Sequence, residues 1–203
     1  MPTLTESAIK DLLTPYLPEV PATLLPQLST YLDLLLKWNA RTNLTAIRDP
    51  EEIVRRHFGE SLFAARHLDP ATPESGTSAL LDVGSGAGFP GIPIALLRPG
   101  IQVTLAESQS KKSSFLREAL RTLNLPNVEV WAARAETLPA PRQFRIVTLR
   151  AVDNMEAALA VARSRVVPGG QLALLTTLPQ APEGGRSLPL PGSHSGILYL
   201  QTF

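Results

Sequence analysis

A parallel α/β sheet with helices on both faces, preceded by a helical N-terminal region, is the architecture this sequence predicts. Three observations predict it. From Ala79 onward, short apolar runs alternate with amphipathic helical stretches, the pattern of a parallel sheet. One of those runs, Ala79 to Val83, is apolar at almost every position and reads as a strand buried on both faces. It leads directly into a glycine cluster, Gly84-Ser85-Gly86-Ala87-Gly88-Phe89-Pro90-Gly91, that opens a helix.

Residues 1–70 read as helical. Thr3-Leu4-Thr5-Glu6 has the spacing of a capping box, and a short amphipathic stretch runs from it to about Leu13, before Pro15. Leu28, Tyr31, Leu32, Leu35 and Trp38 recur at helical spacing and form a core stripe rather than a cofactor box. Asp49-Pro50-Glu51-Glu52 is a helix start, with a cap, a proline inside and acids in the first turn. That helix carries Ile53, Val54, Arg55, Arg56, His57, Ser61 and Leu62. Asp69 to Ser78, rich in Pro, Ser, Thr and Gly, reads as the linker into a sheet domain at 71–203, the whole forming one compact unit.

The strands follow in order. The first is Ala79 to Val83, with its helix from Pro90 to about Leu97, because proline suits a first turn where its missing N–H is no loss. Pro99-Gly100 turns into the second strand, near Gln102 to Ala106. A helix from Lys111 to Leu123 stops at Asn124 and Pro126. Val128 to Trp131 and Phe144 to Leu149 are the third and fourth strands, and Met155 to Val166 is helical. Pro168-Gly169-Gly170 turns into a fifth strand, Gln171 to Leu175. Residues 178–196 read as a long loop containing a short strand near Leu188. The chain ends on an alternating strand, Gly196 to Phe203, expected antiparallel at the sheet edge. No internal repeat is present.

The glycine loop is the first candidate site. Glycines let the backbone turn tightly and approach a ligand closely. The following helix N-terminus would present free N–H groups and a positive dipole end to a cofactor. The dinucleotide fingerprint needs a third glycine where this chain has Phe89. The spacing Gly84-x-Gly86-x-Gly88 is instead that of the nucleoside-binding loop of Rossmann-like methyltransferases. A glycine-rich turn with no ligand is the bland alternative. Glu107, at the end of the second strand and about 20 residues past the glycines, is placed to accept from two ribose hydroxyls. Read blandly, it is a surface acid.

Composition narrows the partners. At 203 residues and 44% hydrophobic, the chain suits one α/β unit with an appendage. A net charge of +1 means that affinity for nucleic acid must come from a local patch. The absence of cysteine excludes disulfides, thiolate metal sites and cysteine nucleophiles. Three histidines without paired spacing argue against zinc, so no metal is expected. The N-terminal residues lack the basic and apolar regions of a signal peptide, and no apolar run spans a bilayer, so a cytoplasmic protein is expected.

Several stretches together resemble one family. They are Lys37-Trp38-Asn39, Asn43-Leu44-Thr45-Ala46-Ile47, Arg56-His57, the block Asp82 to Pro93, Lys111-Lys112, Phe115-Leu116, Arg134-Ala135-Glu136 and Arg150-Ala151. The set is similar to the bacterial RsmG (GidB) family, over about residues 30–175. The Asp82 to Pro93 block is its most specific part. The Asn-Leu-Thr and Arg-His elements come next, because general methyltransferases lack them. The resemblance implies a Rossmann-like class I methyltransferase fold and transfer of a methyl group from S-adenosylmethionine to N7 of one guanine in 16S ribosomal RNA. The implied partner is small-subunit RNA or an assembling 30S particle, approached by a monomer.

By the same resemblance, Gly84, Ser85, Gly86, Gly88 and Phe89 would border the methionine and adenosine of the cofactor. Glu107 would hold the ribose, Ser108 is a further cofactor-binding candidate, and Ala135 and Glu136 would flank the adenine. Arg150, at the end of the fourth strand, would lie at the active-site mouth near cofactor or RNA. Arg134 and His57 are further candidates for the active site or the RNA. Glu60 stands where the family usually carries Asp, and Thr176-Thr177 where it usually carries a lysine. The C-terminal region is shorter than expected for the family.

The chemistry fits a site without an acid/base pair. Guanine N7 has a lone pair and no proton, so catalysis rests on in-line positioning. Arg150 and Arg134 would supply donors to the base O6 and to phosphates; the alternative is pairing with acids such as Asp82 or Glu136. His57 is more readily a packed residue orienting its helix against the cofactor loop. Lys37, Arg41, Arg48, Arg55 and Arg56 could form a basic rim for phosphates, or an ordinary solvated face. Lys111 and Lys112 could touch phosphate or balance Glu107. A plain A-form duplex hides N7, so a loop or flipped base is the expected target. Other readings are a methyltransferase for another substrate, a nicotinamide oxidoreductase, which Phe89 disfavours, and a non-catalytic RNA-binding relative.

Overall fold

The computed structural model describes residues 2–69, 79–151 and 154–203. The predicted linker therefore lies outside the described residues, except for Asp69. Helix α1 (Glu6–Leu13) is capped by Thr5, whose side chain accepts from the Ala8 N–H. The capping box read from Thr3 does not form. Thr3 N–H instead donates to Asp33 Oδ1 at 2.9 Å, a charged acceptor on the next helix that local spacing could not reveal. Helix α2 (Leu24–Asn39) buries Leu28, Tyr31, Leu32 and Leu35 completely, with Trp38 packed at the margin.

The next helical segment starts where the sequence placed it. Asp49 caps α3 (Pro50–Glu52), accepting from the Glu52 N–H at 2.8 Å. Ile53–Gly59 then widens into a π-helix before α4 (Glu60–His67) resumes. The wide turns follow from no apolar period in the sequence, and such turns concentrate at functional sites. Gly59 sits under Tyr16: a Cβ there would lie 2.5 Å from the ring.

Strands β1 (Ala79–Val83), β2 (Gln102–Ala106), β3 (Val128–Trp131) and β4 (Phe144–Arg150) agree with the predicted runs to within one residue. Between them lie α5 (Gly91–Leu97) and α6 (Ser110–Thr122), and α7 (Met155–Arg165) follows β4. Strand β5 (Val166–Thr177) differs from expectation. Pro168-Gly169-Gly170 is not a turn before the strand but a bulge within it, because Phe144 pairs with Val166 and Ile146 with Gln171. Gly169 takes φ 73°, and the Phe203 N–H donates to the Gly170 carbonyl, so the end of the chain holds the bulge.

Strand β7 (Gly196–Thr202) runs antiparallel to β5, as expected, but is not the edge. The order is β3-β2-β1-β4-β5-β7-β6, with β6 (Arg186–Pro189) outermost. Ile197 to Leu200 are all buried, so β7 needs partners on both sides. The largely exposed β6, with its proline, tolerates an open flank.

Side chains alternate between two cores. Leu80, Val103, Leu105, Ala173 and Leu198 face the core shared with α5, α6 and the N-terminal helices. Leu81, Val147, Leu149, Leu172 and Tyr199 face α7. On that second side Arg165 is buried and donates to the carbonyls of Glu136, Leu138, Pro139 and Arg142 at 2.7 to 3.3 Å. Among the described residues no helix is long and apolar enough to cross a membrane.

The strand order reverses between β1 and β4, one leading outward to β2 and β3, the other to β5. A crevice opens at such a reversal, beyond the carboxyl ends of the two strands. The glycine loop and Arg150 occupy those two ends.

Candidate functional site

The loop after β1 is self-bonded. Gly84 and Ser85 N–H donate to the Ala106 carbonyl, and Gly88 and Phe89 N–H to the Ser85 carbonyl. Gly86 N–H donates to Glu107 Oε2 at 2.9 Å, and Gly91 N–H to Asp82 Oδ2 at 3.3 Å. The free N–H groups expected at the helix start are thus already engaged, because a buried loop must satisfy its own donors. In this loop only the Ala87 N–H lacks a protein partner among the described residues. The helix itself starts at Gly91, one residue after Pro90.

Two glycines matter for distinct reasons. Gly86, at φ 57°, has only the Gly84 carbonyl, at 3.8 Å, near where a Cβ would stand, and its backbone lines the cleft. Gly91 allows α5 to press on β1, since a Cβ there would come within 2.4 Å of Leu105 and 2.9 Å of Asp82. Gly88 turns inward, where a Cβ would meet Ile92 and the Tyr31 hydroxyl.

The cleft beside this loop has a volume of about 380 Å3, within the range of small-molecule sites. Gly84, Ser85, Gly86, Phe89, His57 and Arg150 of the predicted site line it. Gly88, Glu107, Ser108, Ala135, Glu136 and Arg134 are not on its wall. Glu107 lies just behind, 6% exposed, with Oε1 accepting from the Gln109 N–H at 2.7 Å. Ala135 and Glu136 form a single 3-10 turn after β3, Ala135 buried and Glu136 exposed. Ser108 and Arg134 are exposed, and Arg134 makes no ion pair with Asp82 or Glu136.

The helical region reaches the loop through a relay the sequence did not expose. Asn39 organises residues 43–47: its Oδ1 accepts from the Leu44 and Thr45 N–H groups, and its Nδ2 donates to the Thr45 and Ile47 carbonyls. Thr45 Oγ1 then bonds His57 Nε2 at 2.7 Å. The His57 ring stacks on Phe89, with centroids 4.7 Å apart and planes 17° from parallel. Tyr31 stacks on the other partners, Phe58 and Phe115, as well as on Phe89, and its hydroxyl donates to the Ala87 carbonyl. A buried Asn at the end of α2 and a Tyr in its apolar stripe were the available signals.

Arg150 is only 12% exposed in its side chain. Its Nη2 donates to Glu60 Oε2 at 2.7 Å and to the Arg56 carbonyl at 2.8 Å. The acid that pairs with it is therefore Glu60, not Asp82. Glu60 Oε1 also accepts from Arg56 Nε at 3.2 Å. Among the described residues Arg150 Nη1 is buried with no partner. Ala151, directly after it, takes φ 47°, a left-handed conformation unusual for alanine.

Of the basic rim, Arg48 is tied to Asn43 and the Asn39 carbonyl, and Arg55 pairs with Glu51 and Glu52. Lys37 and Arg41, flanking Trp38, make no ion pair among the described residues. Lys112 lines the cofactor-sized cleft. Among the described residues no group of three or more His, Asp or Glu is placed to hold a metal ion.

Burial sets two charges. Desolvation first, then Arg150 and Arg56, push the His57 pKa down to about 3, so the ring is neutral at pH 7. Desolvation raises Asp82 to about 6, against the hydrogen bonds from Thr148, Ser85 and Gly91. The pH dependences are opposite. The unfolded chain protonates His57 below about 6.5 and the folded one only near 3, so that contribution is present above 6.5 and lost as pH falls towards 3. The Asp82 contribution is present below its ordinary 3.8 and lost as pH rises through about 6. The stability difference between wild type and His57→Phe, from urea midpoints, is expected to shift in favour of wild type by on the order of 4 kcal/mol between pH 3 and 7. A difference independent of pH would contradict the neutral, buried imidazole.

Comparison with known proteins adds the following. A family model described as rRNA small subunit methyltransferase G, GidB, matches residues 24–183. The ribosomal RNA small subunit methyltransferase G of Xanthomonas axonopodis pv. citri (strain 306) is 46% identical over 142 residues, which cover 70% of this chain and 64% of that protein. The protein of the same name from Stenotrophomonas maltophilia (strain K279a) is 44% identical over 151 residues, covering 74% and 68%. The chain spans just under two thirds of the length of the first of these relatives. Among solved structures, P. horikoshii TYW2 in complex with MeSAdo superposes with a TM-score of 0.56 at 15% identity, over 72% of this chain and 62% of that one. That likeness is one of fold: the Rossmann-like sheet of the class I methyltransferases predicted from the sequence.

Proposed function

The chain belongs to the rRNA small subunit methyltransferase G family, GidB, and from that premise we propose that it transfers a methyl group from S-adenosylmethionine to N7 of one guanine in 16S ribosomal RNA. The observation that carries the reading is the convergence of the family-specific residues on one loop. Asn39 holds the Asn43 to Ile47 turn, Thr45 holds His57, and His57 stacks on Phe89 at the mouth of the glycine cradle.

The residues present fit the cofactor. Gly86 offers bare backbone towards a cleft of suitable size, and no side chain fills it. Gly84, Ser85 and Gly86 would hold its methionine and adenosine portions, with Glu107 at the ribose through the lone pairs its two loop N–H bonds leave over. Ala135 and Glu136 would flank the adenine. Bound there, the cofactor would supply an electrophilic methyl group, and the accepting N7 carries a lone pair and no proton to be removed. The chain therefore needs no general base. His57, neutral and stacked, is a positioning residue that sets Phe89. Arg150 orients the base, held in place by Glu60. Lys37, Arg41, Lys112 and the exposed Arg134 supply phosphate contacts on the RNA side. The partner is small-subunit RNA in an assembling particle, met in the cytoplasm by a monomer without a metal.

The test is single-turnover transfer of a labelled methyl group to undermethylated small subunits, followed by mapping of the product. One 7-methylguanine per particle is expected, and a plain duplex of the same sequence should be a poor substrate. Absence of label, or label on another base, would overturn the proposal.

A further inference from the structure

A second cleft, of about 500 Å3, opens beside the first at the carboxyl ends of β4 and β5. Arg56, Arg150 and Ala151 belong to both walls, so the two clefts meet at Arg150. Met155, Leu175 and Leu190 give the second cleft apolar surface. Away from the junction it carries a polar cluster: the Thr176 and Thr177 hydroxyls both donate to Gln180 Oε1, at 3.3 and 3.2 Å. At the junction, Arg150 Nη1 is buried with its donors unused among the described residues. A buried donor without an acceptor is costly and rare in native proteins. Its position between two clefts points to an acceptor that arrives with a ligand.

Building on the methyltransferase reading above, we propose that this second cleft is the pocket for the acceptor guanine, extruded from its RNA helix. Arg150 Nη1 donates to O6, and the Thr176 and Thr177 hydroxyl oxygens, whose protons are held by Gln180 Oε1, accept from the N1–H and N2 amino edge. The edges of the base dictate this order. N7 and O6 are neighbouring acceptors on one side of guanine, whereas the N1–H and the amino group are donors further round the ring. Seating O6 on Arg150 turns N7 towards the first cleft and sends the donor edge to the Gln180 cluster. Adenine would present an amino group to Arg150 and leave that donor unpaired. Methylation at N7 places positive charge on the purine, and an acceptor at N1–H stabilises it. The Thr176-Thr177 pair, where the family usually carries a lysine, thus gives this chain a neutral reading edge in place of a cation.

Gln180 is exposed, so replacing it leaves the core intact. For Gln180→Leu, kcat/KM on undermethylated small subunits is expected to fall about tenfold, the upper value of one hydrogen bond. The Kd for S-adenosylhomocysteine should stay within twofold of wild type. Gln180→Glu, which keeps the acceptor, should retain at least about half the wild-type efficiency, as the bond it preserves requires. Wild-type efficiency in Gln180→Leu would overturn the pocket assignment while leaving the activity standing. A parallel loss of S-adenosylhomocysteine affinity would place Gln180 at the cofactor instead and also overturn it. A wild-type protein that forms no 7-methylguanine would defeat the parent reading, and the pocket with it.

Discussion

Exchanging Arg150 for methionine is expected to lower single-turnover methyl transfer by about 10²- to 10³-fold, the loss typical when one preorganised donor is removed from a reacting group. The same change should destabilise the fold by about 3–5 kcal/mol, as breaking a buried ion pair does. The reason is Glu60. It is 4% exposed, and without Arg150 its remaining ion-pair partner among the described residues is Arg56, whose side chain is 54% exposed. The two effects separate in a double variant. Glu60→Leu with Arg150→Met removes both buried charges, and such replacements are often neutral in stability. Urea unfolding of the double variant should recover most of the loss, while methyl transfer stays low. Recovery of both would mean that Arg150 serves the fold alone. Transfer within threefold of wild type in the single variant would remove Arg150 from the reaction.

A second large effect is expected at Arg165. The residue is 8% exposed and its guanidinium donates to four backbone carbonyls on residues 136–142, with no carboxylate among the described acceptors. Arg165→Met keeps much of the apolar stem and strands those carbonyls. Each buried polar group left unsatisfied costs about 1–3 kcal/mol, so a loss of at least about 3 kcal/mol is expected from thermal or urea unfolding. The segment it holds begins at Glu136, beside the proposed adenine site. S-adenosylhomocysteine affinity, measured by calorimetry well below the unfolding transition, should therefore fall several-fold, with the Arg150 cluster undisturbed. A variant of wild-type stability would show that water replaces the guanidinium without loss.

Much of this protein was legible because the relevant signals are local. The apolar run into Gly84, the cap at Asp49, and the Asn124 and Pro126 stops each follow from a few neighbouring residues, and the elements appear where those residues place them. The bulge at Gly169 illustrates the boundary. Pro-Gly-Gly correctly announces a break in regular strand, but whether it precedes or interrupts the strand depends on the Phe203 backbone, which comes from the far end of the chain.

The candidate site divides in the same way. Gly84 and Arg150 follow or end strands, and in a parallel sheet the carboxyl ends of the strands share one edge, so the sequence brings them together, whereas the roles expected of Gly84, Gly86, Phe89 and Arg150 came from the family resemblance. Glu60, Asn39 and Thr45 have no such marker. Arg150 and Glu60 are 90 residues apart, and nothing along the chain pairs them. The π-helical turns of Ile53–Gly59 are likewise invisible to a reading based on a period of 3.6.

By itself, then, the sequence determined the succession of strands and helices, the cradle after β1 and the family, since hydrophobic period, turn residues and short motifs act between near neighbours. Only the tertiary structure decided which strand lies at the edge, which acid holds Arg150, and how α2 and the π-helical turns fasten the Phe89 loop. Those outcomes are set by burial and unpaired polar groups, which exist only once distant segments have excluded water from between them.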